Sequence, residues 1–190
     1  MKPRAPTEAS KTIVLDRDGV INQDSSDYIK SAEEWVPIEG SIEAIAKLHR
    51  GGYGVVIASN QSGLARGYFD EAALAGMHDK LNLLVEDAGG LVSAIFYCPH
   101  SPDAGCSCRK PKTGLLKQAE IELGISLVDS YFVGDSLKDL QAAWAFNMTP
   151  ILVRTGKGLE TELSLSNKQK SRTLVFNNLK SAVDWILAQN

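Results

Sequence analysis

The chain is predicted to be an α/β protein, a Rossmann-like parallel sheet with helices on both faces. Three observations carry this. Short apolar runs of strand length recur along the sequence. Amphipathic segments with helical spacing separate them. Glycines and side-chain caps punctuate the junctions. Strands that alternate with helices bury a parallel sheet from both sides.

The predicted strands are Thr12–Leu15, Gly54–Ala58, Ala94–Tyr97, Tyr131–Val133, Pro150–Val153 and Thr173–Phe176. The first predicted helix, Ser41–Arg50, stops at Gly51-Gly52. Asp70 caps a helix running to Asp87, closed by Gly89-Gly90. A third helix runs from Thr113 to Leu123 and stops at Gly124; Ser136–Phe146 and Asn178–Ala188 follow. Residues 156–172 are polar, rich in Ser and Lys, and carry no predicted element. Residues 1–10 read as a frayed tail and 11–190 as one domain.

With 190 residues, the chain can bury a full core in one domain. The 44% hydrophobic and 23% charged fractions are ordinary for a globular protein. A net charge of −3 provides no basic field for nucleic acid or a membrane surface. No apolar run is long enough to span a bilayer. The start, Met1-Lys2-Pro3-Arg4-Ala5-Pro6-Thr7, has no apolar centre, so no secretory signal is expected and the cytoplasm is inferred. A monomer acting on a small molecule is expected.

Three predicted strands end in unusual chemistry. The first runs into Asp16-Arg17-Asp18-Gly19, the second into Ser59-Asn60-Gln61-Ser62-Gly63, and the fourth into Gly134-Asp135-Ser136-Leu137-Lys138-Asp139. In a parallel sheet these ends lie on one edge, where ligands bind. Residues i and i+2 of an extended segment face one side, so Asp16 and Asp18 can share a site. Paired carboxylates repel unless a cation or a proton intervenes. Mg²⁺ suits such oxygen ligands. Each piece alone has a plainer reading: a turn cap at Asp16 and Asp18, loop chemistry at Ser59-Asn60, a helix cap at Asp135, a solvated basic pair at Arg109-Lys110.

Together they match phosphoryl transfer. Asp16 would attack phosphorus and form an aspartyl-phosphate. Asp18 would protonate the leaving oxygen and then activate water. Asp16, Asp135 and the Asp18 carbonyl would hold Mg²⁺. Ser59 and Lys110 would hold the phosphoryl oxygens. Asp139, one helical turn past Asp135, would orient Lys110 or a metal-bound water.

The set Asp16-x-Asp18-Gly19-Val20, Ser59-Asn60, Lys110 and Gly134-Asp135-x-x-x-Asp139 resembles the four motifs of the haloacid dehalogenase-like phosphatase superfamily, over residues 12 to about 155. Caps in that superfamily are inserted between the motifs. Only 40 residues separate Asp18 from Ser59 and 50 separate Ser59 from Lys110, which leaves no room for a cap. Loops 22–37, 61–69 and 98–110 must shape the site. The resemblance therefore implies a capless member.

Cys98-Pro99-His100 and Cys106-Ser107-Cys108 supply three sulfurs and one imidazole, a complete tetrahedral set for Zn²⁺. No position is left open, so the zinc is structural. It would stiffen the loop and fix Arg109 and Lys110.

The capless, zinc-knuckled members include two similar groups, phosphatases of D-glycero-D-manno-heptose 1,7-bisphosphate and of histidinol phosphate. The chain looks like the first group, through Ser59 to Gly67 and through Leu152-Val153-Arg154-Thr155-Gly156-Lys157. The alternative is histidinol phosphate. By resemblance, Asp24, Ser25, Ser26 and Tyr28, then Asn60, Gln61 and Ser62, contact substrate, and Arg109 recognises it. A sugar bisphosphate also requires a second cationic subsite, with Arg66 and Arg109 as candidates.

Overall fold

A computed structural model describes residues 11–189; the expected tail at 1–10 lies outside them. The elements are β1 (Thr12–Leu15), α1 (Ser41–Arg50), β2 (Gly54–Asn60), α2 (Glu71–Asp87), β3 (Ala94–Cys98), α3 (Gly114–Leu123), β4 (Tyr131–Gly134), α4 (Leu137–Ala145), β5 (Thr149–Val153), α5 (Gly158–Ser164), α6 (Asn167–Lys170), β6 (Leu174–Phe176) and α7 (Leu179–Leu187).

The strands form one parallel sheet in the order β3-β2-β1-β4-β5-β6. The chain builds outward from β1 to β3, then restarts on the other side of β1 with β4. The crevice beyond the carboxyl ends of β1 and β4 is the topological switch point, where such sheets bind ligands.

Strand alternation sorts the core into two layers. Ile13, Leu15, Val55, Ile57, Val133 and Ile151 pack against α1, α2 and α7. Val14, Val56, Ala58 and Phe132 face the other way, against α3 and α4. All four β1 residues are buried, as a central strand covered on both faces requires.

The helices begin where their caps predict. The Asp70 carboxylate accepts the Ala73 N–H at 2.8 Å, and Asn178 Oδ1 accepts that of Ser181 at 2.9 Å. Gly124 closes α3 in the left-handed region, at φ 64°.

Two differences from the sequence reading matter. β2 continues through Ser59 and Asn60, paired with Tyr97 and Cys98, so these two residues are strand rather than loop. Residues 156–172 contain α5 and α6. α5 buries only Gly158 and Thr161, which leaves too little apolar periodicity for the pattern to show. Gly158 is packed so tightly on the Val153 carbonyl that a Cβ has no room.

Candidate active site

β1 delivers Asp16 to the switch point. The Asp16 N–H still bonds the Val133 carbonyl at 2.9 Å, extending the ladder with β4 by one residue. The chain then turns around the Arg17 carbonyl, which accepts the N–H groups of Ile21 and Asn22 at 2.8 and 3.2 Å. Gly19 lies in this turn at φ 81°. A Cβ at Gly19, or at Gly156 opposite, would collide with Asp135 Oδ2. The two glycines make the slot that admits the Asp135 carboxylate, and the Lys157 N–H bonds its Oδ2 at 2.8 Å.

Lys110 joins the strand ends. Its Nζ lies 2.8 Å from Asp16 Oδ1 and 2.6 Å from Asp139 Oδ1. The second Asp139 oxygen accepts the Ser136 N–H at 3.0 Å and its hydroxyl at 2.6 Å, so the same carboxylate helps cap α4. Ser136, not Asp135, is the residue that caps this helix. Burial works against the Lys110 charge, but Asp139 and then Asp16 outweigh it and hold the ammonium protonated.

Asp16, Asp135 and Asp139 place carboxylate oxygens within 4.8 Å of one another, all buried. Burial pushes Asp16 well up, and the Asp139 and Asp135 charges add to the rise against the pull of Lys110. Burial and then Asp139 push Asp135 up to about 7. Three carboxylates facing one ammonium carry uncompensated negative charge. Such an oxygen donor set fits a hard divalent cation.

The Asp18 carboxylate stands outside that cluster. Arg17, 1% exposed, donates to it from Nε at 3.1 Å and from Nη2 at 2.9 and 3.1 Å. Asn22 adds a bond at 2.9 Å and Gln61 one at 2.8 Å. Burial works upward on Asp18, but Arg17, Asn22 and Gln61 together hold it below the ordinary carboxylate range.

A cavity of about 430 Å³ opens over these groups. Asp16, Asp18, Asp24, Ser25, Ser26, Tyr28, Ser59, Asn60, Gln61, Ser62, Arg109, Lys110, Asp135 and Asp139 all line it. Arg66 does not: it is exposed and absent from the lining. It follows the turns after β2, where the Arg66 N–H bonds the Ser62 carbonyl at 3.2 Å. The walls come from the three loops that the missing cap leaves in charge.

Two residues expected to touch substrate are engaged within the protein. Asn60 clamps the Lys110 backbone, accepting its N–H at 3.0 Å and donating to its carbonyl at 3.1 Å. Gln61 Nε2 bonds Asp18 and also Ser59 Oγ, at 2.7 Å, while its Oε1 accepts from Arg17 at 3.1 Å.

Arg17, Asn22 and Lys157 escaped the sequence reading as site residues. Strict alternation after β1 would turn Arg17 away from Asp18; the turn at Asp18-Gly19 folds it back. The Gly-Lys pair after β5 was the available signal for Lys157, since β5 adjoins β4 at the same sheet edge.

The cysteine loop gathers as the spacing implies. Cys98, His100, Cys106 and Cys108 present ligand atoms within 4.8 Å of one another. Cys98 Sγ lies 3.2 Å from Cys108 Sγ and 3.6 Å from Cys106 Sγ, and His100 Nδ1 lies 3.3 Å from Cys108 Sγ. Tetrahedral Zn–S bonds of ~2.3 Å would separate two sulfurs by roughly 3.7 Å. Burial, with hydrogen bonding to Cys108, pushes the Cys98 thiol up to about 12. A soft cation would reverse that. Lys112 Nζ fastens the loop by donating to the Gly105 and Cys106 carbonyls at 2.9 and 2.6 Å.

Comparison with known proteins adds kinship to this geometry. A family model described as HAD-hydrolase-like matches residues 107–182. A Pseudomonas aeruginosa protein named D-glycero-beta-D-manno-heptose-1,7-bisphosphate 7-phosphatase is 51% identical over 175 residues, 92% of this chain and 97% of the relative. A Neisseria meningitidis protein of the same name is 44% identical over 180 residues, 95% of this chain and 96% of the relative. Among solved structures, the D,D-heptose 1,7-bisphosphate phosphatase of Bordetella bronchiseptica, complexed with magnesium and phosphate, superposes with a TM-score of 0.89 at 44% identity. That match covers 95% of this chain and 99% of the other. The Burkholderia thailandensis enzyme of the same name gives a TM-score of 0.72 at 39% identity, over 94% of this chain and 99% of the other.

Proposed function

The chain belongs to the D-glycero-beta-D-manno-heptose-1,7-bisphosphate 7-phosphatase family of haloacid dehalogenase-like hydrolases, and we propose that it removes the 7-phosphate of that sugar bisphosphate. The observation that carries the chemistry is the buried Asp16–Lys110–Asp139 bridge beside Asp135, at the sheet edge facing the cavity. Kinship carries the substrate. The reaction belongs to the cytoplasmic synthesis of lipopolysaccharide-core heptose, and residues 11–190 act as one phosphatase domain.

Asp16 attacks phosphorus; its Oδ–P bond forms as the bond from phosphorus to the sugar O7 breaks. Asp18 gives the departing O7 its proton. In the second step Asp18 takes a proton from water, the water oxygen joins phosphorus, and the Asp16 oxygen leaves. The entering phosphate dianion raises the proton affinity of Asp18, which Arg17 otherwise keeps ionised. Ser59 and Lys110 hold the non-bridging oxygens. Asn60 acts by fixing the Lys110 backbone. Asp16, Asp135 and the Asp18 carbonyl would hold Mg²⁺, which supplies Lewis-acid charge compensation when bound. Cys98, His100, Cys106 and Cys108 would hold a structural Zn²⁺ that fixes the approach of Arg109 and Lys110.

The test is phosphate release with Mg²⁺ from the heptose 1,7-bisphosphate, with the remaining phosphate located by NMR. Loss of the 7-phosphate is expected. Loss of the 1-phosphate, or no turnover, would defeat the proposal.

A further inference from the structure

We propose that Lys157 is a specificity-determining residue that reads the second phosphate of the substrate, released for that purpose from an ion pair with Asp24. This deepens the sugar-bisphosphate reading and rests on it. Lys157 follows β5 and Arg109 follows β3, so the two cations reach the cavity from opposite sides of β1. Lys157 is anchored there by its own N–H on Asp135 Oδ2. Its main chain is therefore fixed to the reacting centre while its ammonium stays mobile.

The Lys157 Nζ lies 3.0 Å from Asp24 Oδ2, with side chains 65% and 22% exposed. An ion pair that open contributes little to stability and yields to a stronger anion. It also stands between two cavities. Asp24, Ser26 and Lys157 line both the cavity over Asp16 and a neighbouring one of about 360 Å³, whose floor includes Thr155 and Gly156. A phosphate dianion carries more charge than the Asp24 carboxylate and three strong acceptor oxygens, so it takes the ammonium over. A monophosphate bound at Asp16 leaves the pair closed. Lys138 also lines the active cavity, but among the described residues it forms no ion pair.

The experiment measures inhibition of para-nitrophenyl phosphate hydrolysis by fructose 1,6-bisphosphate and by fructose 6-phosphate, and takes the ratio of the two inhibition constants. For the wild type we expect the bisphosphate to bind at least about tenfold tighter. Lys157→Gln keeps the N–H on Asp135 and should remove most of that ratio. Lys157→Arg, which keeps the charge, should retain it to within about threefold, as should Lys138→Gln. A wild type indifferent to the second phosphate would overturn the assignment. So would a ratio unchanged by Lys157→Gln, or one lost equally with Lys138→Gln. The heptose assay is read separately. A wild type that ignores heptose bisphosphate yet shows a Lys157-dependent ratio sinks the substrate reading and leaves the subsite standing.

Discussion

Asp18 is gripped by its own neighbour: Arg17 Nη2 reaches both of its carboxylate oxygens, at 2.9 and 3.1 Å. The grip couples sequence to chemistry at one point. Gly19, in the left-handed region, reverses the chain so that the guanidinium lies beside the carboxylate. Gln61 then ties the pair to Ser59 across β2. The Asp18 carboxylate and the Ser59 hydroxyl, the proposed general acid and phosphate-binding group, are held by one amide.

Arg17→Lys should therefore impair catalysis more than folding. Lysine keeps the charge but offers a point donor where a planar fork is used. We expect kcat to fall about 100-fold, since a misplaced proton donor typically costs about that much. The basic limb of the kcat/KM profile should move to higher pH, because the main group lowering Asp18 is weakened and the acid stays protonated further up. Steady-state kinetics from pH 4 to 9 checks both. Full activity with an unmoved limb would show that the grip is structural only.

Asp16→Asn should fold and be inactive. The amide cannot attack phosphorus, and it also removes one of three mutually repelling buried carboxylates. Its melting temperature without Mg²⁺ should equal or exceed that of the wild type. Turnover within about tenfold of wild type, a barrier change of only about 1.4 kcal/mol, would remove Asp16 from the nucleophile role.

The sheet was legible because its strands are nearly pure apolar runs: Thr12–Leu15 is buried throughout, and such a run admits few other readings. Asp16 and Asp135 were legible because each sits one or two residues past such a run, and Asp18 and Asp139 follow them at short spacings. What escaped is whatever depends on tertiary geometry. Asn60 and Gln61 look like free polar groups in sequence, and only the fold shows that the cysteine loop after β3 brings Lys110 against the first and the turn after β1 brings Asp18 against the second. Arg66 and Lys157 are equally basic in sequence. The turns after β2 leave Arg66 outside the cavity, while the Asp135 carboxylate draws the Lys157 backbone into it.

The cysteine loop yields a metal prediction. Protein purified without chelators should carry one Zn²⁺ per chain and need added Mg²⁺ for turnover, because a Cys₃His set and a carboxylate set select different ions. Brief EDTA treatment should abolish activity, and Mg²⁺ alone should restore it while zinc stays bound. Cys106→Ser should lose zinc and lower the melting temperature, with Lys110 less well placed and kcat reduced. Elemental analysis showing no zinc in the wild type would remove the knuckle from the account.

His78 packs against Tyr97, with ring centroids 5.8 Å apart. Burial, reinforced by the Arg17 charge, pushes it down to about 4. Its folded value lies below its unfolded one, so between roughly pH 6.5 and 4 the unfolded chain binds the extra proton. The stability it contributes is complete above that window and is lost as pH falls through it, on the order of 3 kcal/mol in all. Urea unfolding at pH 4.5 and 7.5 should show a steeper acid loss in wild type than in His78→Asn. Parallel curves would mean that His78 titrates normally.

Substrate choice is the sharpest test of the functional reading. The expected order is heptose 1,7-bisphosphate well ahead of histidinol phosphate, compared as kcat/KM under one condition. Histidinol phosphate carries a cationic amine, which a site would hold with free carboxylates near the leaving group. Asp24 is the carboxylate so placed, and it is already paired with Lys157 at 3.0 Å. Residues 61–69 add no acidic group to the cavity, whereas Arg109 adds a cation. Arg109→Ala should lose at least about tenfold more on the bisphosphate than on para-nitrophenyl phosphate, because its guanidinium donates to the His100 carbonyl at 3.3 Å rather than to Asp16. A higher kcat/KM for histidinol phosphate would reverse the substrate assignment while leaving Asp16, Asp18 and Lys110 in their roles. Equal losses in Arg109→Ala on both esters would place that arginine with the reacting phosphate instead.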